Sequence, residues 1–373
     1  MPADRFQSTI LSNAASGKPA ATNASKTRWR ELVLVYLLAL GILAGPAYTM
    51  YVHYDFSHSL DTRSYLSMAR GEFKGVSVTR RYRVLVPAAA TAIAWPLEQV
   101  YARIWPQRAA TDWPLRLAFY VLNTLLMAGT GLVLYQTCRL YGASAAAAAL
   151  AVVAVLCSRW AVYITGLPLV DSLYMLVFAL AFYAVRSGSK LVLIAVLVLG
   201  WQAKESFVFL VPWLLLFGRR ALGWPAQLAW AALGAGLAFG VRHWIDSRIG
   251  APPAESMQNA LNHFENIAYS LKRLLSVKGI GEIFSVFGFF WLVLLVGWRG
   301  GATQRTQWLT PLGWQGLLFV AVVLVHMFLS GDLGRMGYLS APVFAVAFAL
   351  ILTQQSGFRQ APPEHNEGAI KSR

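Results

Sequence analysis

The chain has 373 residues, of which 57% are hydrophobic and only 13% charged, and its mean hydropathy is +0.52. A soluble domain carries about 25% charged residues, so the composition excludes an ordinary soluble protein and points to a helical protein that crosses a membrane several times. The net charge of +16 would suggest nucleic acid in a soluble chain. Here the basic residues fall between apolar runs, where membrane topology and anionic headgroups account for them, and no nucleic-acid motif is present.

The polar N-terminal stretch, about thirty residues by composition, is read as disordered and cytoplasmic. Lys26, Arg28 and Arg30 precede the first apolar run, which lacks a small-residue cleavage site and reads as a signal anchor. Apolar spans follow near 32–52, 115–137, 143–163, 170–186, 190–203, 205–218, 225–245, 281–298, 312–330 and 336–354. The expected fold is therefore all-α, with about ten transmembrane helices (nine to eleven) in one domain over 31–355. Segments 190–203 and 205–218 are short and form a broken pair around Lys204-Glu205. Segment 84–105 contains Pro87, Pro96, Glu98 and Arg103 and is read as re-entrant or interfacial.

Charge sets the orientation. If 84–105 does not cross, both termini are cytoplasmic. The short inner connections then hold Arg139, Arg186 with Lys190, Arg219-Arg220, and Arg299 with Arg305. If it crossed, the positive-inside rule would fail at Arg219-Arg220. Two long basic loops, 53–114 and 246–280, lie outside, and the polar tail 356–373 is expected to be disordered and cytoplasmic. Cys138 and Cys157 make neither a disulfide framework nor a zinc motif.

Four polar constellations stand at the outer ends of apolar runs. In the first outer loop, Asp61, Tyr65 and Ala69 share a helix face at spacing i, i+4, i+8, and Arg80, Arg81 and Arg83 follow. Asp61 is either a catalytic carboxylate or a helix N-cap. Asp171 opens a membrane helix, with the same two readings. Lys204 and Glu205 interrupt an apolar run, either as ligand-binding groups or as a structural ion pair. Gly331-Asp332-Leu333-Gly334-Arg335 forms a short outer turn in which Arg335 is a candidate phosphate clamp. A carboxylate takes a proton from a hydroxyl, and guanidiniums bind phosphate oxygens in pairs. Together they suit a reaction on a lipid-linked phosphate at the membrane surface. No metal-ligand spacing is visible, so the cofactor is left unknown, with a divalent cation compatible but unsupported by a motif.

At these residues the chain resembles the GT-C superfamily of integral-membrane glycosyltransferases, in particular the glycosylphosphatidylinositol mannosyltransferases and their bacterial relatives. The matching pieces are Asp61-x-x-x-Tyr65, Ala69-x-Gly71, Tyr82-Arg83-Val84-Leu85-Val86-Pro87, Pro168-Leu169-Val170-Asp171-Ser172-Leu173 and the Lys204-Glu205 turn. They cover 55–215 and, more weakly, 330–336. The chain departs from the family in lacking a paired-acid Asp-x-Asp motif and a large soluble C-terminal domain. The resemblance implies inverting transfer of a sugar from a polyprenyl-phosphate donor to a glycan, lipid or protein hydroxyl. Asp61 would be the base and Asp171 a second catalytic residue that orients sugar or acceptor. Tyr65, Arg80, Arg81, Arg83, Lys204, Glu205, Asp332 and Arg335 would bind substrate. The alanine- and arginine-rich composition suggests a bacterial inner membrane, with the site facing the periplasm. Rival readings are a transporter or flippase of lipid-linked sugars and a membrane acyl- or phospho-transferase; His326 is the residue that acyl transfer would need.

Overall fold

The computed structural model describes residues 21–55, 59–250 and 266–358, and among them every regular element is helical. Expectations for residues 1–20 and 359–373 lie outside the described residues. In chain order the helices are α1 (Ala21–His53), α2 (Leu60–Ala69), α3 (Val78–Arg81), α4 (Leu85–Ile104), α5 (Pro106–Ala109) and α6 (Trp113–Leu140). Next come α7 (Ala145–Leu156), α8 (Arg159–Gly166), α9 (Asp171–Ser187), α10 (Lys190–Ala203), α11 (Val211–Phe217) and α12 (Trp224–Ile249). The chain ends with α13 (266–274), α14 (Val277–Phe287), α15 (Trp291–Arg299), α16 (Ala302–Ser330), α17 (Leu333–Gly337) and α18 (Ala341–Thr353).

Residues 21–30, expected to be disordered, are the first turns of α1. Their alanines, lysine and arginines are good helix formers, and extending an existing helix avoids the cost of nucleation. At the other end, Ser356–Phe358 forms a short 3₁₀ turn. The segment 246–280, expected as an outer loop, is likewise not all loop where it is described: α12 runs to Ile249, and α13 and the start of α14 are helical.

α6 is the central strut and packs against α1, α4, α7 and α9. α9 is buried nearly all round, by Tyr174, Met175, Phe178, Ala181 and Phe182 among others. A helix apolar on every face belongs inside a bundle, and α9 forms the core with α18, α10 and the middle of α16. A second cluster, with Tyr65, Leu66, Met68, Val86, Phe119 and Leu167, fastens α2 and α4 to α6.

Five helical stretches are long and apolar enough to cross a membrane: Trp29–His53, Trp113–Leu140, Val277–Arg299, Ala302–Ser330 and Leu333–Thr353. The pair α7 and α8 makes a sixth if counted as one span, though it bends by 63°. Ser158 causes the break, capping α8 by accepting from the Trp160 amide at 3.2 Å. The expected span 225–245 is the continuous 26-residue α12, which is long enough but not among the helices apolar enough to cross, and the remaining expected spans are shorter or interrupted. α9 has 17 residues and α10 has 14; at 1.5 Å per residue the latter covers about 21 Å. The expected helix 205–218 is instead a 3₁₀ turn, Glu205–Phe209, followed by the seven-residue α11. Lys204 is fully extended between them (φ −165°, ψ 138°), so the helix cannot continue. α16 is kinked at Gly313 (φ +47°), two residues after Pro311, which has no amide to offer the helix.

α4 is one continuous 20-residue helix with Pro96 inside, and it is not among those apolar enough to cross. It packs along α6 through Val86, Ala90 and Ala94, while Trp95, Val100 and Ile104 are exposed. The exposed tryptophan and aliphatics suit a membrane interface.

Candidate functional site

Ser59 starts α2 by accepting from the Thr62 amide. Asp61 is therefore not the cap; it stands in the first turn with its carboxylate turned to other partners. Tyr65, one turn on, is almost fully buried. Ala69, a further turn on, accepts through its carbonyl from Thr91 Oγ1 of α4 at 2.7 Å. The spacing read from the sequence is thus one helix face, clamped at its far end to α4.

The basic stretch divides. Arg80 pairs with Asp61 Oδ1. Arg83 grips Glu205 with two bonds, Nε to Oε2 at 3.1 Å and Nη2 to Oε1, and gives Nη1 to the Tyr65 hydroxyl at 3.1 Å. Arg81 points elsewhere. Its Nε donates to the Val76 carbonyl at 3.0 Å and its Nη1 lies 3.7 Å from Asp246, which also accepts from the Tyr82 hydroxyl at 2.9 Å. Three arginines on or just after a one-turn helix cannot face one point, because successive positions turn by about 100°. Arg81, expected among the phosphate holders, joins the segment between α2 and α4 to α12 instead.

Asp171 is the first residue of α9, with no side-chain capping bond. Asn123 of α6 fixes the approach to it. Its amide nitrogen donates to the carbonyls of Leu167 (3.0 Å) and Leu169 (3.1 Å), and its oxygen accepts from Ser172. The buried Asp171 carboxylate then meets Lys204 Nζ at 3.4 Å on one oxygen and Arg335 Nη1 at 3.4 Å on the other. Lys204 also lies 3.5 Å from Met336 Sδ and 5.5 Å above the Tyr174 ring.

Arg335 ties the cluster together. Its Nη1 is 2.7 Å from Asp61 Oδ2, and its Nε donates to Asp332 Oδ2 at 2.9 Å. Asp332 also caps α17, accepting from the Arg335 amide at 3.0 Å. Gly331 turns the chain into this corner at φ +72°, where a side chain would be strained. Gly334 lies against Trp160 of α8, so close that a Cβ there would fall 2.3 Å from the indole ring.

Four sequence-distant stretches thus meet in one network: Arg80–Asp61–Arg335–Asp171–Lys204, with Arg83–Glu205 and Tyr65 beside it and Asp332 bracing Arg335. Burial alone raises the Asp61 carboxyl, but Arg335 and then Arg80 outweigh it and hold it well below the usual carboxylate range. Burial pushes the Tyr65 phenol up to about 12 despite Arg83. Both are outside the membrane-crossing stretches.

His326 lies beneath this layer, 3% exposed. Its Nδ1 is 2.8 Å from the Val322 carbonyl, which can only accept, so Nδ1 carries the proton. Its Nε2 accepts from the Tyr174 hydroxyl at 2.7 Å. Both ring nitrogens are engaged within the core. Among the described residues no group of three histidine, cysteine or carboxylate side chains converges to hold a metal ion. An open, mainly apolar pocket of about 280 Å³ lies between α2 and α4, lined by Met68, Ala69, Phe73, Val84, Pro87 and Ala88.

Asn123 and Tyr174 belong to the site's support, Asp246 anchors the neighbouring Arg81 and Tyr82 to α12, and none of the three is singled out from sequence. Asn123 had a readable signal, an amide in the middle of an apolar run; Asp246 had none beyond its charge.

The fold defines the class: a helical integral membrane protein with its buried ion pairs gathered where several helices begin or end. Comparison with family models, curated proteins and solved structures finds no match.

Proposed function

We propose that the chain is a glycosyltransferase of the GT-C type, with about ten membrane passages once the short and bent helices are included. It would move a sugar from a polyprenyl-phosphate donor to a hydroxyl acceptor at the outer face of a bacterial inner membrane. One observation carries this reading. Asp61 of the first outer loop, Asp171, Lys204 and Arg335 lie far apart in sequence, yet they form one connected set of ion pairs. The set combines a carboxylate able to take a proton with cations suited to phosphate.

In the proposed reaction the acceptor hydroxyl gives its proton to Asp61 while its oxygen attacks the anomeric carbon. The bond from that carbon to the phosphate oxygen breaks, and polyprenyl phosphate leaves with the electron pair. Arg80, Arg335 and Lys204 stabilise the growing phosphate charge. Asp171 holds Lys204 and Arg335 at that position, and Arg83 is held beside them by Glu205.

The test is reconstitution with a panel of labelled polyprenyl-phosphate sugars and a membrane extract as acceptor. Wild-type protein is expected to transfer one sugar, and Asp61→Asn to lose about a hundredfold or more in rate while still binding donor. Full transfer by the variant sinks the base assignment. Donor translocation without transfer, equal in both proteins, replaces the enzyme reading with a flippase.

A further inference from the structure

Each oxygen of the Asp61 carboxylate is held by a guanidinium from a different part of the chain, Oδ1 by Arg80 and Oδ2 by Arg335. That bracket is what two non-bridging oxygens of a phosphate would require. Asp61 therefore sits where a ligand anion would bind.

The charges reinforce the point. Asp61, Asp171, Asp332 and Glu205 face Arg80, Arg83, Lys204 and Arg335, four against four. Among these eight side chains no positive charge is left over, so an anion entering the cluster has to take a cation from a carboxylate. Three of the four acids are ill suited to give one up. The Asp171 side chain is only 5% exposed and touches two cations. Glu205 is held by two parallel bonds from Arg83. Asp332 holds Arg335 twice within one turn, Oδ1 accepting from its amide and Oδ2 from its Nε, so this pair is local and fixed by the helix start. Asp61 is less exposed (21%) than Glu205 (35%) or Asp332 (30%), but it stands on a short helix capped by another residue, its two cations come from different segments, and both are partly exposed, at 25% and 18%.

We infer that the phosphate of the incoming donor displaces the Asp61 carboxylate from Arg80 and Arg335, and that this exchange frees Asp61 to act as the base. The deduction rests on the glycosyltransferase reading for its ligand. Before the exchange Asp61 is a poor proton acceptor, because two cations stabilise its charge. Afterwards the same cations neutralise phosphate, and the carboxylate recovers its affinity for a proton. Donor binding arms the base, so an empty site does not activate water or a stray hydroxyl.

The experiment measures binding of a polyprenyl phosphate without sugar to the full-length protein in lipid nanodiscs. Asp61→Asn removes the internal competitor and is expected to bind at least about tenfold more tightly than wild type. Adding Arg80→Gln to that variant is expected to cancel the gain. Equal or weaker binding by Asp61→Asn, with wild-type binding intact, overturns the exchange. A second measurement needs no variant. Carbodiimide labelling of Asp61 in the wild-type protein, read by mass spectrometry, is expected to rise on adding polyprenyl phosphate; unchanged or reduced labelling overturns the exchange. If neither protein binds polyprenyl phosphate, the lipid-phosphate reading itself fails, and the exchange with it.

Discussion

Arg335 Nη1 lies 2.7 Å from Asp61 Oδ2 across 274 residues of sequence. One residue comes from the ten-residue α2 and the other from the five-residue α17. Arg335 reaches Asp171 and Asp332 as well, so three carboxylates from three segments depend on one guanidinium.

The pairing of Asp61 sets an acid limit on stability. Its carboxyl is held below the usual range by Arg335 and Arg80 against the opposing effect of burial. A depressed carboxylate contributes stability above its unfolded pKa, about 3.9, and loses it as pH falls through the folded value. The melting midpoint of purified protein is expected to be unaffected by this group down to about pH 5 and to drop below about pH 4. Asp61→Asn should flatten part of that drop. A variant with the same acid limb as wild type would show that the stability lost at low pH comes from other groups.

Arg83 and Glu205 form the one forked pair of the cluster. Removing either partner leaves the other unpaired in a half-buried place, at a cost of about 1–3 kcal/mol. Arg83→Met and Glu205→Met are each expected to lower the denaturation midpoint. The double variant should recover most of the loss, because two apolar side chains leave no orphan charge. A double variant that merely sums the two losses would rule out direct coupling.

Gly334 is a steric key. A methyl group there would fall 2.3 Å from the Trp160 indole, which is itself held by a 3.0 Å bond from Nε1 to Ser285 Oγ. Gly334→Ala must shift either the indole or α17, and a shift of α17 carries Arg335 with it. Sugar transfer is expected to fall by about tenfold or more, since misplacement by about 1 Å can cost a hundredfold. Trp160→Ala in the same protein should restore part of the rate by making room. Normal activity in Gly334→Ala alone would show that α17 does not need this contact.

Much of the cluster's membership was legible in the sequence. Asp171 and Lys204 border or interrupt an apolar run, where charge is expensive and so conspicuous; Asp61 stands out by its helical spacing with Tyr65 and the arginines that follow, and Arg335 by its short turn between two glycines and an apolar run. Their partners were not legible, because pairing depends on how helix ends meet in space. The three clustered arginines looked equivalent, yet α3 turns Arg81 toward Asp246 while Arg80 and Arg83 enter the site. Helix lengths were less readable than helix positions. The extended backbone at Lys204 and the cap at Ser158 divide apolar runs that hydropathy alone joins. The caps also decided Asp61: both Ser59 and Asp61 are plausible caps by type, and the backbone uses Ser59.

The long sequence separation between Asp61 and Arg335 has a consequence for biogenesis. Asp61 leaves the ribosome 274 residues ahead of its second cation. Until α17 is inserted, Asp61 has only Arg80, and Asp171 has only Lys204. The charge network is completed only when α17 joins it, so a chain cut short before residue 332 would leave Asp61 and Asp171 with one cation each and present itself to membrane quality control as unfinished.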